Sequence, residues 1–280
     1  MKILTVNVHG WIEENTEQKI NQLAKTIIKK DYEIIALQEV NQPMERKEVA
    51  HPKFIKSINE SNPIPLKEQN YAGFLIQELE RLGKEYYWSW SANHIGYDRF
   101  DEGLSILSKS PQKSEAITVS ETTDYNSIAT RNVLKTEINI NGEEWHIFNG
   151  HFSCWKDYKD NLVFKNEWDK VREHFKGINH ENVIFMGDFN NDADTADEGY
   201  GYILETTPFL SDAYTIAKKR YGNATIVAGI DGWNDTAIAK RIDYIFVSKR
   251  LSVLESNVIF DGKNESVISD HFGVEVILKK

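Results

Sequence analysis

Residues 182–190 read NVIFMGDFN: four apolar residues in succession, Val183 to Met186, then Gly187, Asp188, Phe189 and Asn190. A short apolar run bounded by turn-forming residues is the pattern of a buried strand, and this one ends on a carboxylate and an amide. The arrangement recurs along the chain. KILTVN at 2–7 closes on Asn7 and runs into His9-Gly10, and EIIALQEV at 33–40 collects Gln38 and Glu39 at its end. WHIFNGH at 145–151 closes on Asn149 and His151, Asp243 sits in RIDYIFVS at 241–248, and Asp270-His271 precede the apolar FGVEVIL at 272–278. Any one of these alone is ordinary turn chemistry. Together they supply hard oxygen donors for a Mg²⁺-type ion and two histidines for charge stabilisation or proton transfer. A mostly oxygen donor set with no need for cysteine disfavours zinc and copper, and metal-assisted hydrolysis is the implied chemistry.

Between these strands the segment Thr16–Lys30 carries Ile20, Leu23, Ala24, Ile27 and Ile28 at helical spacing, with Lys29 and Lys30 favourable at the negative end of the dipole. Further helical patterns lie near 158–175 and 212–220. Further strand patterns lie at 86–92, 103–109, 133–140, 253–260 and 274–278. Many strands, few helices and no strict alternation predict two mainly antiparallel or mixed sheets packed together with helices outside, as one domain over residues 1–280. Four of the six prolines, Pro43, Pro52, Pro63 and Pro65, fall in a polar insertion over 41–70, which reads either as an active-site lid or as a mobile loop.

Composition narrows the partners. Lys and Arg total 33 against 43 Asp and Glu, a formal charge of −10, and mean hydropathy is −0.50. That balance argues against tight sequence-independent binding along nucleic acid, which needs many cations to displace condensed counterions. The single cysteine, Cys154, rules out an internal disulfide and fits a reducing compartment. The first apolar run is broken by Asn7 and His9, and no stretch approaches the ~18–20 apolar residues that cross a bilayer, so a cytoplasmic location with no membrane partner is expected.

The ordered set VNVHG, LQEV, NGH, GDFN, RIDYIFVS and SDHFGV resembles the endonuclease/exonuclease/phosphatase superfamily across residues 7–273. The resemblance implies a DNase-like four-layered α/β sandwich, two packed mixed β-sheets flanked by helices. It implies Glu39 as principal Mg²⁺ ligand with Asn7 and Asp270 near the metal, Mn²⁺ being the alternative ion. Asp188 is implied to orient or deprotonate the attacking water, and Asn190 to hold the phosphoryl group. His271 would stabilise phosphate, held by Asp243, and His151 would be a second phosphate contact or acid. Metal plus a positioned carboxylate is what phosphoryl transfer to water requires.

The surroundings of the motifs bear on the substrate. Basic supply is modest, with Arg131, Lys240 and Arg241 best placed, which suits one phosphate group. Trp11, Trp155 and Trp233 lie close in sequence to motifs, as do Tyr97 and Phe100 ahead of EGLSILS, and such rings offer flat platforms to sugars or simply pack, whereas Trp145 and Trp168 read as core. Asn149 is a further candidate for substrate contact. The segments MKILTVNVHGWIEEN, LQEVNQ and GYDRFDEGLSILS also look like the maltose 6′-phosphate phosphatase branch. The resemblance therefore implies a Mg²⁺-dependent phosphomonoesterase acting on a small phosphorylated sugar. The alternative is a phosphodiesterase, either a DNA nuclease or sphingomyelinase-like. His9 shares the strand face of Asn7 and is a candidate for the cleft, and Glu102 is a further carboxylate that could join it; His94, near the GYDRFDEG loop, is open between cleft and structural roles, while His51, His146, His174 and His180 read as surface or structural.

Overall fold

The computed structural model describes residues 1–227 and 239–279, so Trp233 lies outside the described residues. The strands are β1 (Lys2–Asn7), β2 (Ile34–Gln38), β3 (Gln42–Pro43), β4 (Tyr87–Gly96), β5 (Phe100–Ser108), β6 (Gln112–Thr118), β7 (Asn132–Ile140) and β8 (Glu143–His151), then β9 (Val183–Asp188), β10 (Leu210–Asp212), β11 (Lys219–Tyr221), β12 (Asp243–Ser248), β13 (Val253–Ile259) and β14 (Gly273–Leu278). The helices are α1 (Thr16–Lys30), α2 (Tyr71–Arg81), α3 (Val163–Phe175), α4 (Gly199–Thr206) and α5 (Ala213–Ile216). Among the described residues the first sheet runs β11-β13-β14-β1-β2-β5-β3, with β4 also pairing β5, and the second runs β10-β12-β9-β8-β7-β6. Both sheets are mixed. At the centre of the first, β1 and β2 are parallel, and in the second β8 and β9 are parallel.

Side-chain alternation assigns each strand face to a layer. In β1 and β2, Ile3, Ile34 and Ala36 face the second sheet and meet Leu134, Ile147, Ile184, Met186 and Ile245 in a core between the sheets. The opposite faces, with Leu4, Val6, Ile35 and Leu37, pack under Ile20, Leu23 and Ile27 of α1 and Leu75, Ile76 and Leu79 of α2. On the far side Phe148, Phe185 and Phe246 pack under Phe164, Trp168, Val171 and Phe175 of α3. The result is the four-layered sandwich, helices on both outer faces of two packed sheets.

Along the face between the sheets, composition changes in one direction. Reading every second residue, β1 gives Ile3, Thr5, Asn7; β2 gives Ile34, Ala36, Gln38; β8 gives Trp145, Ile147, Asn149, His151; and β9 gives Ile184, Met186, Asp188. The interface is thus apolar at one end, amide-bearing in the middle and ionisable at the carboxyl ends of the central strands. The middle tier is hydrogen-bonded throughout: the Gln38 amide donates to Asn149 Oδ1 at 2.6 Å and to Thr5 Oγ1 at 3.0 Å, and the Asn149 amide donates to the carbonyls of Leu37 and Ser105. Buried polar groups paired in this way form a firm floor for the charged tier.

Three local expectations change. Helix α2 was not foreseen, although Asn70 caps it by accepting from the Gly73 N–H and residues 71, 72, 75, 76 and 79 form its buried stripe. The helix expected near 158 begins only at Val163, because the Asp157 carboxylate turns the preceding loop by accepting from the N–H groups of Lys159 and Asn161. In the 212–220 region a single turn, α5, is followed by β11.

The 41–70 insertion is no lid. Lys53 and Ile55 exchange backbone bonds with Trp88 of β4, Ile58 does so with Ser114 and Ala116 of β6, and Phe54 stacks near Trp88. It covers the edges of both sheets, where unpaired backbone would otherwise be exposed, and contributes no residue to the cleft described below.

Candidate active site

Asp188 stands at the end of β9, and its neighbours come from both sheets. In register, His151 of β8 lies beside it on one side and Asp243 of β12 on the other. Asp243 heads an antiparallel strand, which is why its carboxylate reaches the same edge from the start of its strand. Asp188 Oδ2 is 3.1 Å from Asn7 Nδ2, 3.6 Å from His151 Nε2 and 3.7 Å from His271 Nε2. His271 is held from behind by Asp243, Nδ1 to Oδ2 at 3.0 Å. The Asn190 N–H donates to Asp188 Oδ1 at 3.0 Å, and the Asn190 side-chain amide donates to the Phe152 carbonyl. Three motif residues, His9, Glu39 and Asn190, adopt left-handed backbone conformations with φ of 43°, 50° and 49°. Such strain in non-glycine residues gathers at sites where side-chain aim matters.

Asn7 joins the two sheets. Its Oδ1 accepts from the backbone N–H of His9, a group that can only donate, so Nδ2 must face the carboxylates. It donates to Glu39 Oε1 at 2.7 Å as well as to Asp188.

These residues line a cleft of about 830 Å³ together with His9, His94, Glu102, Arg131 and Asp270. Arg131 has Nε and Nη1 buried with no hydrogen-bond partner among the described residues. Buried guanidinium nitrogens left in that state are a costly arrangement that an anionic ligand relieves.

Sequence comparison agrees with the geometry. The profile of the Endonuclease/Exonuclease/phosphatase family matches residues 4–271. The chain belongs to this family. An endonuclease/exonuclease/phosphatase family protein from Leptotrichia buccalis C-1013-b is 35% identical, with all of each chain covered and a TM-score of 0.84. The mannosyl-6-phosphatase Bt3783 of Bacteroides thetaiotaomicron shares the fold at 18% identity and a TM-score of 0.67, with both chains fully covered. So does D. rerio TDP2 complexed with a single-strand DNA product, at 16% identity and a TM-score of 0.65, covering 100% of this chain and 99% of that one. No curated protein matches the chain. Family members are metal-dependent hydrolases of phosphoric esters, and this chain is one. No helix among the described residues is long and apolar enough to cross a membrane.

The donor set suits the divalent cation on which the family depends. Glu39, Asp188 and His151 each bring a ligand atom within 4.8 Å of the others. Burial, with Asp243 beside it, raises the Asp188 carboxyl to about 7; burial, with Glu39 nearby, raises Glu102 to about 8. Crowded buried carboxylates held above their usual range are what a bound cation relieves. The two histidines diverge. Burial opposes charge on His271, but Asp243 and Asp188 outweigh it and raise its pKa to about 10. Burial, with Arg131 and His271 near, holds His151 well below the ordinary histidine value. The surroundings thus favour the charged form of His271 and the neutral form of His151.

Asp188, Asn190, His151, His271, Asp243, Glu39 and Arg131 all gather at the cleft or directly behind it. The remaining candidates make other contacts. Asn7, expected near the metal, stands beside the Glu39 and Asp188 carboxylates and bridges them through its side-chain N–H groups. Asp270 lines the same cleft as Glu39, with its carboxylate 3.6 Å from His9 Nδ1. Asn149 spends its amide on the tier beneath the site. Trp11 packs edge-on against Tyr71 and Phe74 with its N–H on the Gln69 carbonyl, and Trp155 packs against Phe164 and Tyr202; neither lines the cleft. Arg241 also lies elsewhere, paired with Asp212 among Tyr200, Tyr214 and Tyr244.

His94 and Glu102 are the residues that sequence reasoning left open. They are cross-strand neighbours on β4 and β5, with His94 Nε2 3.4 Å from Glu102 Oε1 and both buried on the cleft wall. The available signal was an ionisable residue inside a strand that is buried at every position.

Proposed function

We propose that this enzyme is a phosphomonoesterase that removes inorganic phosphate from a sugar phosphate, with maltose 6′-phosphate as the leading candidate and Mg²⁺ as its metal, Mn²⁺ being the alternative. The observation that carries this reading is the pairing, in one cleft, of the Glu39–Asp188–His151 donor group with the half-buried guanidinium of Arg131, whose Nε and Nη1 are buried with no hydrogen-bond partner among the described residues. One guanidinium and one histidine cation suit one phosphate. The overall charge of −10 disfavours a polymeric polyanion. The mannosyl-6-phosphatase relative supports a sugar phosphate as a substrate this fold can serve.

In this reading Arg131 and His271 hold the phosphoryl oxygens, and Asn190, fixed by its bonds to Asp188 and Phe152, lies against the same group. Asp188 orients a water in line with the ester bond and accepts its proton. The water oxygen bonds to phosphorus as the ester P–O bond breaks, and the departing alkoxide takes a proton from solvent at the cleft mouth. Asp243 keeps His271 oriented and charged. Glu39 and Asp188, with His151, would hold the divalent cation, which when bound offsets the charge that accumulates on the phosphoryl and leaving oxygens.

The test is a phosphate-release screen over maltose 6′-phosphate, glucose 6-phosphate, nucleotides and DNA, with and without Mg²⁺. Sugar phosphates should release phosphate only with the metal, and Glu39→Ala and Asp188→Ala should each abolish release. Efficient cleavage of DNA with no phosphate freed from any sugar ester would establish the phosphodiesterase alternative instead.

A further inference from the structure

Three exposed large apolar side chains stand on the cleft that holds the candidate site. Tyr158, at 90%, and Ile128, at 70%, are the two most exposed such side chains among the described residues, and both line the cleft together with Tyr97 at 44%. They come from three separate loops. Each loop is locked by its own hydrogen bonds: Thr130 and Ser127 close the loop around Ile128 onto Asp124, and the Asp157 carboxylate closes the loop around Tyr158. Exposed apolar side chains that meet at the mouth of a polar cleft mark a contact surface.

Tyr97 adds an independent sign. It lies in the three-residue loop 97–99 of the β4–β5 hairpin and, with Asp98, makes the centre of a turn closed by the Arg99 N–H on the Gly96 carbonyl at 3.2 Å. Both turn residues are left-handed, with φ of 52° and 54°. A turn of this kind is normally served by Asn-Gly, and a tyrosine there is strained. The strain places an aromatic ring on the cleft with its hydroxyl 3.0 Å from His9 Nε2.

We infer that Tyr97, Ile128 and Tyr158 form the subsite for the leaving alcohol and set the preference for the two-ring ester proposed above over smaller esters. The inference rests on the phosphomonoesterase reading above. The rim is continuous with the phosphate-holding end, since the three side chains line the same cleft as Arg131 and His271. Its volume, about 830 Å³, lies high in the ~300–1,000 Å³ range of drug-sized sites, so a single phosphorylated ring would fill only part of it. Tyrosine rings supply flat apolar faces suited to the C–H faces of sugars, with hydroxyls that pair with sugar hydroxyls. The platform sought at Trp11 and Trp155 is thus built from other residues.

The experiment compares kcat/KM for maltose 6′-phosphate, glucose 6-phosphate, glycerol 1-phosphate and a nucleoside monophosphate in the Mg²⁺-loaded wild type, Tyr158→Ala and Tyr97→Ala. The wild type should favour the disaccharide ester over glycerol 1-phosphate by tenfold or more, roughly one good ring contact. Each variant should shrink that ratio by about tenfold, mainly through KM for the disaccharide. Tyr158 is so exposed that its truncation tests the idea without endangering the fold. Variants that slow all esters alike, or none, overturn the subsite, as does a wild type that prefers the nucleoside ester. A wild type that hydrolyses none of the esters overturns the phosphatase reading and the subsite with it.

Discussion

Asn7 shows how much one side chain can decide. It is fully buried, and its amide is the contact that joins Glu39 of one sheet to Asp188 of the other. Asn7→Asp would set a third carboxylate between two others with no N–H to share. The expected outcome is a loss of about 2–3 kcal/mol in the metal-free protein, read by urea denaturation, with partial recovery on adding a divalent cation. Equal loss with and without the cation would mean that the site does not gather charge around a metal. The six motif blocks were legible because each places a polar residue where an apolar strand ends. The direction of the Asn7 amide was not, because it is set by the His9 N–H on one side and a carboxylate 181 residues away on the other.

At the scale of elements, β8 and β9 are pressed together by glycines. Gly187 has φ of 146°, and a Cβ there would lie 2.0 Å from the Gly150 carbonyl oxygen. Gly187→Ala must part the two strands that carry His151 and Asp188, so a loss of about 3 kcal/mol or more and a severe fall in activity are expected, checked by thermal melting and by phosphate release. A gentler tie joins three elements at Asp31, the left-handed cap of α1. Hydrogen bonds from Lys84, after α2, and Lys109, after β5, lower its carboxyl to about 2. A depressed carboxylate stabilises the fold above its ordinary value near 3.8, and the contribution fades as pH falls towards 2. Since Asp31 is more than half exposed, screening limits the effect: Asp31→Asn should cost less than about 1 kcal/mol at pH 7 and nothing near pH 2, measured by denaturant titration at both. The strands with apolar runs were readable, whereas β6, with the mixed sequence QKSEAIT, and the short β3, β10 and β11 were not. Helix α2 was hidden because its stripe directly follows the polar, proline-rich insertion, and α5 was over-read because β11 takes the end of its apparent period.

At the scale of the whole molecule, the site exists because two sheets each bring a central parallel pair, β1–β2 and β8–β9, whose carboxyl ends meet at one edge. A cation held there binds the folded state alone. Mg²⁺ at a hundred times its dissociation constant should therefore raise unfolding free energy by about 2.7 kcal/mol, seen as a higher melting temperature that a chelator reverses. No change in melting would argue against a metal at the Glu39 group. The chain by itself determined the apolar strands, the polar residues that end them and the excess of acid over base, because these are local patterns set by side-chain period and residue type. Only the tertiary structure decided which of those polar residues share a cleft. It put Asn149 in the tier below the site, Trp11 and Trp155 in packing, the 41–70 insertion along the sheet edges, and His94, Glu102, Tyr97 and Tyr158 around the cleft. The physical reason is that sheet register and strand direction, which bring distant residues within a few ångströms, depend on how whole layers pack and leave no mark in any single stretch of sequence.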